Sequence, residues 1–349
     1  MIRRETKEVK IGKIKIGGSN KIAVQSMLNT DPHNIEACIE QTARLKNAGC
    51  DIVRLTIPDI DAVKTIYEIK NSIDIPLVAD IHFDYRLAIA SADAGIDKIR
   101  INPGNIGDKD RVKQVVSKCN EKNIPIRIGV NSGSLEKDIL SKYGSPTPEA
   151  LAESTYSHIR LLEEFDFDDI VLSLKSSSVS FMIDAYRIIA ERCNYPLHLG
   201  VTEAGTREMG IIKSAIGIGS LLNDGIGDTI RVSLTENPVE EVIAARKILK
   251  GLGFKGYGPQ IVSCPTCGRT KIDLISLAKR VEAAIENINK DITVAIMGCV
   301  VNGPGEAREA DIGIAGGDGK AVIFKKDKIV KTVNESDIEK ELIKEIDKM

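Results

Sequence analysis

Ala48-Gly49-Cys50-Asp51-Ile52-Val53-Arg54 carries a pattern that returns twice later in this chain of 349 residues. The two later copies are Ala94-Gly95-Ile96-Asp97-Lys98-Ile99-Arg100 and Gly225-Ile226-Gly227-Asp228-Thr229-Ile230-Arg231. Each copy reads as a glycine that ends a helix, a short polar turn, and an apolar strand that finishes on arginine. Such an echo is expected when one strand–helix unit is used many times over.

Around these copies, short apolar segments alternate with amphipathic helical segments. Eight strands are predicted, at residues 21–26, 51–57, 76–81, 98–102, 125–130, 169–174, 196–201 and 228–234. Eight strands separated by helices favour an α/β fold of the closed (β/α)8, or TIM-type, barrel. An open, doubly wound sheet is the alternative that this pattern leaves.

Two segments next to the predicted barrel strands have their own signals. Residues 9–16 alternate apolar and charged side chains, and Gly17-Gly18-Ser19-Asn20 then predicts a turn, so this region indicates a hairpin that leads into the first barrel strand. The connection at residues 132–147 is longer than the others. It has room for a short helix, and we expect it to act as a loop over the site.

Glycines and a proline mark a linker after the eighth helix, which is predicted from Pro238 to about Lys250. We therefore predict a barrel domain at residues 1–251, which would hold the substrate, and a small α+β domain at 252–349. The second domain is predicted to contain a helix from Asp273 to about Asn289, a buried strand from Ile292 to Met297, a Gly/Pro loop, two short strands around Ile312 and Val322, and a charged helix from Glu335.

Composition narrows the classes of partner. The net charge is −2, there is no tryptophan, and aromatic residues make up 4% of the chain, so neither nucleic acid nor an anionic membrane surface is an expected partner. The first residues lack an apolar signal core, and no apolar run is long enough to span a bilayer. We expect a cytoplasmic protein, in which Cys38, Cys50, Cys119 and Cys193 are free thiols.

The other three cysteines lie in two short motifs, Ser263-Cys264-Pro265-Thr266-Cys267-Gly268-Arg269 and Met297-Gly298-Cys299-Val300-Val301-Asn302-Gly303-Pro304-Gly305-Glu306. Three thiolates complete most of a tetrahedral site for a soft metal. No cysteine follows Cys299, the last histidine is His198, and Glu306 is the hard ligand that shares the loop. The residue types leave three readings: an iron–sulfur cluster, a structural zinc completed by His198 or a partner, or ordinary buried thiols.

The carboxyl ends of the predicted strands are unusually polar. In order they carry Gln25 and Ser26; Arg54; Asp80 and His82; Arg100 and Asn102; Arg127 and Asn131; Ser173 and Lys175; His198, Thr202 and Glu203; Arg231 and Ser233. In a barrel these side chains converge on one face. Four arginines and a lysine suit a diphosphate, because guanidinium groups bind phosphate oxygens through paired hydrogen bonds. The alternative is that each arginine pairs with an acidic neighbour on the rim.

The two cysteine motifs, and much of the chain before them, resemble the 4-hydroxy-3-methylbut-2-enyl diphosphate synthases of the non-mevalonate isoprenoid pathway, in their short two-domain bacterial form. The resemblance implies one [4Fe-4S] cluster per chain, ligated by Cys264, Cys267, Cys299 and Glu306. It also implies that Arg54, Arg100, Asn102, Arg127, Asn131, Lys175 and Ser233 hold the substrate diphosphate, that Asn302 contacts the substrate, and that Asp80, His82 and Glu203 lie near the reacting carbons.

The reaction implied by this family is the reductive ring opening and dehydroxylation of 2-C-methyl-D-erythritol 2,4-cyclodiphosphate to (E)-4-hydroxy-3-methylbut-2-enyl diphosphate. Glu203 is the expected proton donor, and His82 would position or shuttle the proton. The sequence shows no flavin or nicotinamide motif, so reduced flavodoxin or ferredoxin is the expected electron donor.

Two other classes of iron–sulfur protein share part of this pattern. A radical-forming S-adenosylmethionine enzyme uses the spacing Cys-x-x-x-Cys-x-x-Cys, which is absent. A non-enzymatic iron–sulfur carrier or sensor leaves the cationic barrel mouth without a purpose.

The direction of the chain predicts a homodimer. Barrel helices run antiparallel to the strands, so the eighth helix ends at the face opposite the catalytic mouth. A linker from Gly251 to Ser263 could stretch roughly 40 Å when fully extended, but it would have to run taut along a helix. We therefore expect a head-to-tail homodimer whose active sites are shared between chains, as the resemblance also implies.

Overall fold

The protein is described by a computed structural model, which covers residues 2–286, 288, 290–299, 307, 309–326 and 328–349. The chain divides into two compact units, Met1–Ile248 and Leu249–Met349. The sequence-based boundary was drawn three residues later, at 251/252.

The first unit is a closed barrel of eight parallel strands, as predicted. A short antiparallel hairpin, β1 (Val9–Ile11) and β2 (Ile14–Ile16), comes before it. The barrel strands are β3 (Ala23–Met27), β4 (Ile52–Thr56), β5 (Leu77–Asp80), β6 (Lys98–Ile101), β7 (Ile126–Asn131), β8 (Ile170–Lys175), β9 (His198–Leu199) and β10 (Thr229–Ile230). The strand order is β8-β7-β6-β5-β4-β3-β10-β9, and a parallel bridge between Leu172 and Leu197 closes the ring. The open-sheet alternative is therefore wrong.

Helices follow the barrel strands. They are α1 (Ile35–Asn47), α2 (Val63–Ser72), α3 (Tyr85–Asp93), α4 (Lys109–Lys122), α5 (Lys137–Tyr143), α6 (Pro148–Glu163), α7 (Val179–Arg192), α8 (Arg207–Asn223) and α9 (Pro238–Gly251). Side chains cap several of these helices; for example, the Asp108 carboxylate accepts a hydrogen bond from the Arg111 amide at the start of α4. The long connection after β7 holds a 3-10 turn (Ser132–Ser134) and α5, so the prediction of a short helix there is confirmed.

The hairpin covers the amino-terminal end of the barrel. Val9, Ile11 and Ile16 are fully buried, and they pack in one cluster with Ala23, Ile52, Val78 and Val171 from the barrel strands. The predicted turn at Gly17-Gly18-Ser19-Asn20 is present, with the Asn20 amide donating to the Gly17 carbonyl at 3.1 Å, but it follows the hairpin, whose own turn is at Gly12 and Lys13. Gly12 has φ +55°, a left-handed conformation that glycine adopts without strain. The hairpin thus forms an apolar floor for the barrel interior.

The second unit is built on a five-stranded sheet in the order β11-β12-β13-β14-β15, with β11, β12 and β13 parallel and the last two strands antiparallel. The strands are β11 (Gln260–Ser263), β12 (Thr293–Met297), β13 (Ile312–Gly316), β14 (Lys320–Lys325) and β15 (Lys328–Asn334). The helices α10 (Leu274–Ile285) and α11 (Ile338–Asp347) pack together against one face of this sheet in a single apolar cluster. A 3-10 turn (Glu335–Asp337) comes before α11.

No helix within the described ranges combines the length and the apolar character that a membrane crossing requires.

Candidate active site and metal centre

Alternation along the barrel strands places basic side chains in the barrel interior. Register pairs Asp80 with Arg100, and Arg100 with Arg127, on three neighbouring strands. Paired residues of parallel strands face the same side of the sheet. Arg100 and Arg127 are buried, as is Arg54 on β4, so the predicted convergence of these residues is what the structure shows.

Asp80 is the carboxylate at the centre of this group. It accepts hydrogen bonds from Arg54 Nη2 and, at 3.3 Å, from Arg100 Nη1, and His82 Nε2 lies 3.4 Å from its Oδ2. Burial opposes ionisation of Asp80, yet the two arginines hold its pKa below the ordinary value. Burial lowers the pKa of Arg54 to about 10. One carboxylate therefore serves two guanidinium groups.

Arg100 is held by the shape of the neighbouring strand. Its Nη2 donates to the carbonyl of Gly129 at 3.2 Å, and a Cβ at Gly129 would lie 2.5 Å from its Nε. Any side chain at this position would push the guanidinium away, so glycine is required here for close approach.

Arg127 has no counter-ion among the described residues. It is fully buried, and none of its three guanidinium nitrogens has a hydrogen-bond partner there. Burial, and then the neighbouring Arg54 and Arg100, lower its pKa. A buried charge without a partner is costly, so a site that keeps one is shaped for an anion.

Lys175 and Arg231 are the other two cations at the strand ends, and their surroundings differ. Half-buried Lys175 lies level with Asn131 across β7 and β8, and burial together with Arg54 and Arg127 sets its pKa well below the ordinary value. Arg231 is different, because its Nε donates to Glu241 Oε2 at 3.2 Å. The rim-pairing alternative thus holds for Arg231 and for the pair that shares Asp80.

Glu203 stands out by its backbone. This exposed residue follows β9 and has φ +52°, a left-handed conformation that is uncommon outside glycine, asparagine and aspartate. The loop is tied down on both sides, because the Thr202 amide donates to the Ser176 carbonyl at 3.2 Å and the Thr235 amide donates to the Gly205 carbonyl at 3.0 Å. Asn123, Asp166 and Lys326 share this backbone conformation, so for Glu203 it fixes the course of the loop.

Two further predicted residues follow the barrel strands β6 and β10, which are not neighbours in the sheet. Asn102, just beyond β6, is buried, and its Oδ1 accepts the Gly104 amide at 3.1 Å. Ser233 follows β10 and is half-buried. The structure thus places both predicted residues at the carboxyl end of the barrel without showing a direct contact between them.

Two charged residues of the interior were missed from the sequence. Lys98 opens β6, is fully buried, and has no partner for its Nζ among the described residues. Glu241 lies on α9, accepts hydrogen bonds from Arg231 and Ser26, and holds the Leu234 amide at 3.1 Å. Lys98 could have been predicted, because it alternates with Arg100 along one strand. Glu241 lies on a helix, and the sequence gives no sign that it faces the site.

In the second unit, three predicted ligands line one pocket. β11 and β12 are parallel neighbours, so Cys264 after β11 and Cys299 after β12 leave the sheet at the same edge. Both line a pocket with Cys267, Arg269 and Thr270.

Hydrogen bonds already support the thiols in this pocket. The Gly298 amide donates to Cys264 Sγ at 3.3 Å. Hydrogen bonds from Arg269 lower the pKa of Cys267, which favours the thiolate that a metal requires. The other predicted residues of this region, Asn302 and Glu306, lie outside the described residues.

Comparison with known proteins identifies the family. A family model described as the GcpE TIM-barrel domain matches residues 6–246, and one described as the GcpE protein C-terminal domain matches residues 260–348. The chain belongs to the GcpE family. The 4-hydroxy-3-methylbut-2-en-1-yl diphosphate synthase (flavodoxin) of Clostridium perfringens is 59% identical over 347 residues, which cover 99% of each chain. The enzyme of the same name from Caldanaerobacter subterraneus subsp. tengcongensis is 61% identical over 348 residues, which cover 100% of this chain and 98% of that one.

Solved structures show the GcpE barrel fold in more distant proteins. The 3-dehydroquinate dehydratase of Geobacillus kaustophilus matches with a TM-score of 0.52 and 16% identity, covering 72% of this chain and 99% of that one. A dihydropteroate synthase of Coxiella burnetii matches with a TM-score of 0.51 and 12% identity, covering 70% and 97%. At these identities the likeness concerns the fold alone.

Proposed function

We propose that this chain catalyses the two-electron reductive ring opening and dehydroxylation of 2-C-methyl-D-erythritol 2,4-cyclodiphosphate to (E)-4-hydroxy-3-methylbut-2-enyl diphosphate. This makes it an oxidoreductase of the non-mevalonate isoprenoid pathway, and the full-length relatives carry the name 4-hydroxy-3-methylbut-2-en-1-yl diphosphate synthase (flavodoxin). The observation that carries the substrate class is the buried, unpartnered guanidinium of Arg127 among further cations. A non-enzymatic iron–sulfur carrier or sensor has no diphosphate ligand and so does not explain the buried charge of Arg127.

The cations at the barrel mouth bind and orient the diphosphate. Arg54 and Arg100 keep Asp80 between them, which fixes their planes, while Arg127 and Lys175 are left to meet phosphate oxygens. Ring opening frees one phosphate oxygen, so the diphosphate gains a negative charge. Preorganised cations stabilise that developing charge without having to reorient.

Glu203 is the proton donor in this proposal. Its left-handed backbone and its anchored loop hold the carboxyl at the carboxyl end of β9, where a barrel carries its chemistry. Loss of the hydroxyl as water requires a proton, which a positioned carboxylic acid supplies. His82, beside Asp80, positions that group or relays the proton.

Cys264, Cys267 and Cys299 are the proposed ligands of a [4Fe-4S] cluster. The described side chains are not gathered into a ready metal site, but the three thiols line one pocket and one of them accepts a backbone amide. Glu306 is proposed as the fourth ligand on the family resemblance, and Asn302 as a substrate contact. When bound, the cluster supplies single electrons and Lewis acidity.

The identity of the metal can be tested directly. Anaerobically purified protein should be brown and should contain about four iron and four acid-labile sulfide per chain, because three thiolates without a fourth sulfur or a nearby histidine do not close a zinc site. Elemental analysis together with a sulfide assay measures this. Active protein with stoichiometric zinc and no sulfide would contradict the proposal.

The role of Glu306 differs from that of the cysteines. We expect Glu306→Ala to keep part of its cluster and lose most turnover, whereas Cys267→Ser should lose the cluster itself, because a thiolate is the stronger ligand. Cys119→Ser, a buried thiol on α4, is the matched control and should change neither property. Absorption spectra and activity are measured together. An active Glu306→Ala protein with an unchanged spectrum would remove Glu306 from the site.

Reduced flavodoxin is the proposed electron donor. The relatives named above carry flavodoxin in their names. Ferredoxin is the alternative that the sequence left. Turnover with each purified carrier, at matched concentration, distinguishes the two.

We also propose a homodimer with shared active sites. The structure begins β11 at Gln260, so the segment between α9 and the second sheet is residues 252–259, which can reach roughly 28 Å. α9 alone is about 20 Å long. A segment this short leaves little slack for a second unit to return to the mouth of its own barrel, which favours the mouth of a partner.

The proposed reaction is tested with reconstituted protein, reduced flavodoxin and the cyclodiphosphate under anaerobic conditions. Mass spectrometry should show the open-chain diphosphate, formed at the expense of the cyclic substrate. Tight binding of the substrate without any product, in protein with a full cluster and an active carrier, would contradict the assigned chemistry.

A further inference from the structure

Lys98 is a buried amine that the proposed mechanism does not use. It opens β6 two residues before Arg100, so both side chains face the barrel interior and Lys98 lies one step deeper. It is 0% exposed, and its Nζ has no hydrogen-bond partner among the described residues. In register it lies opposite Val78, which belongs to the apolar floor beneath the site.

The surroundings of Lys98 contain more positive than negative charge. Arg127 on β7 and Arg54 on β4 act on it as like charges. Asp80 on β5 already binds both Arg54 and Arg100, and the buried Glu241 binds Arg231.

The other titratable group that interacts with Lys98 gives it no negative charge. His198 Nδ1 on β9 lies 2.8 Å from Thr229 Oγ1, within hydrogen-bonding distance. Burial, and then Arg127, keep the pKa of His198 well below its ordinary value, so the imidazole is neutral. From beneath, the hairpin presents only apolar side chains such as Ile11 and Ile16.

Burial without a partner disfavours the charged form of the Lys98 amine while the mouth is empty. Burial, and then Arg127 and Arg54, lower the pKa of Lys98 well below its ordinary value. A dianionic diphosphate bound at the mouth offsets the excess positive charge of Arg54, Arg100 and Arg127 over Asp80. The charged form of the amine then becomes the favoured one, because an anion nearby stabilises a cation in a medium of low dielectric constant.

We propose that Lys98 is a proton acceptor beneath the diphosphate site. Its amine takes up one proton from solvent when a dianionic diphosphate binds, and the resulting ammonium stabilises the negative charge that ring opening adds to the diphosphate. This inference rests on the proposed function. The only bond formed at Lys98 is N–H, with solvent as the source of the proton, and no substrate bond is broken by it. The proton stays on Lys98 through turnover and is distinct from the one consumed in releasing water.

Calorimetry of substrate binding tests this without turnover. The cyclodiphosphate is titrated into holoenzyme without a reductant near pH 8, in buffers of different ionisation enthalpy. Both phosphates of the ligand are diesters and stay ionised there, so any proton taken up enters the protein. Wild type should take up about one proton per site, and Lys98→Met should take up much less than half of that.

Lys175→Met serves as the comparison, because Lys175 is the other amine of the mouth. It should weaken binding and, because burial and the same arginines also lower the pKa of Lys175, lose part of the proton uptake, but less than Lys98→Met loses. Uptake that persists in Lys98→Met, or that is absent from wild type despite binding, overturns the inference. Absence of cyclodiphosphate binding in wild type would instead contradict the proposed function itself.

A stability measurement separates this role from a structural one. Methionine removes a buried amine that has no partner, so Lys98→Met should unfold at no lower temperature than wild type at pH 7. The neutral folded amine must be protonated on unfolding, so wild type gains stability relative to the variant as pH rises toward 10. A variant that loses stability at every pH would indicate a structural lysine and overturn the inference. If Lys98→Met fails to fold, Lys98→Gln provides the same neutral comparison.

Discussion

Arg127→Met should bind the cyclodiphosphate at least ~10²-fold more weakly than wild type, because two or more charge-assisted hydrogen bonds to phosphate are lost. Its folded state should nevertheless become more stable. Arg127 is buried without a partner in the described part of the chain, and an apolar side chain there removes a desolvation cost of about 1 kcal/mol or more. Binding is measured by calorimetry without a reductant, and stability by thermal unfolding.

Two comparisons make this result specific. Arg187→Met is the matched control, because Arg187 pairs with Asp224 at the surface of α7 and should leave substrate affinity unchanged. Glu203→Gln should bind the substrate nearly as well as wild type and turn it over slowly, since it alters proton donation and not the grip on the diphosphate. Equal loss of affinity in Arg127→Met and Glu203→Gln would mean that Glu203 is structural.

Co-expression of Glu203→Gln and Cys264→Ser chains should restore activity that neither variant shows alone. Each homodimer would lack one essential group at both sites. In a heterodimer with shared sites, one composite site joins an intact barrel to an intact cluster, so turnover should reach roughly half of wild type per dimer. Differently tagged chains, purified in two steps, give the heterodimer for a direct assay.

The controls for complementation concern folding and exchange. Both homodimers must be folded and dimeric, which size-exclusion chromatography and unfolding curves establish. The pair Glu203→Gln with Arg127→Met is the matched negative control, because both changes lie in the barrel and no intact combination can form. An inactive, verified heterodimer of the first pair would place each site within one chain.

Strand periodicity was sufficient to predict the barrel. Each predicted strand overlaps an observed one, because buried parallel strands read as short apolar runs whatever their partners. The last two are shorter than predicted, and β9 and β10 pair over two residues each.

The errors have local causes. β15 was missed because its first five residues are all exposed and include two lysines and a threonine, a composition that suits an edge strand and not a buried one. β11 was taken as linker, since its four residues stand directly before the cysteine motif.

The candidate site was predictable where a polar side chain ends a strand and not where it begins one. Arg54, Arg100 and Arg127 were found because a barrel gathers strand ends on one face. Lys98 was placed at the start of the predicted strand 98–102 but not among the site residues, since lysine is rarely buried unless it is paired. Only the closed barrel shows that the amine of a lysine at the start of β6 cannot reach solvent.

The hairpin of β1 and β2 gives the barrel one entrance. Val9, Ile11 and Ile16 stop the amino-terminal end, so water and ions reach the interior only from the side where the substrate arrives. Without this hairpin, the apolar side chains that it covers, such as Ala23, Ile52, Val78 and Val171, would face solvent. Water would then lie closer to the buried cations from a second side and would screen their charges.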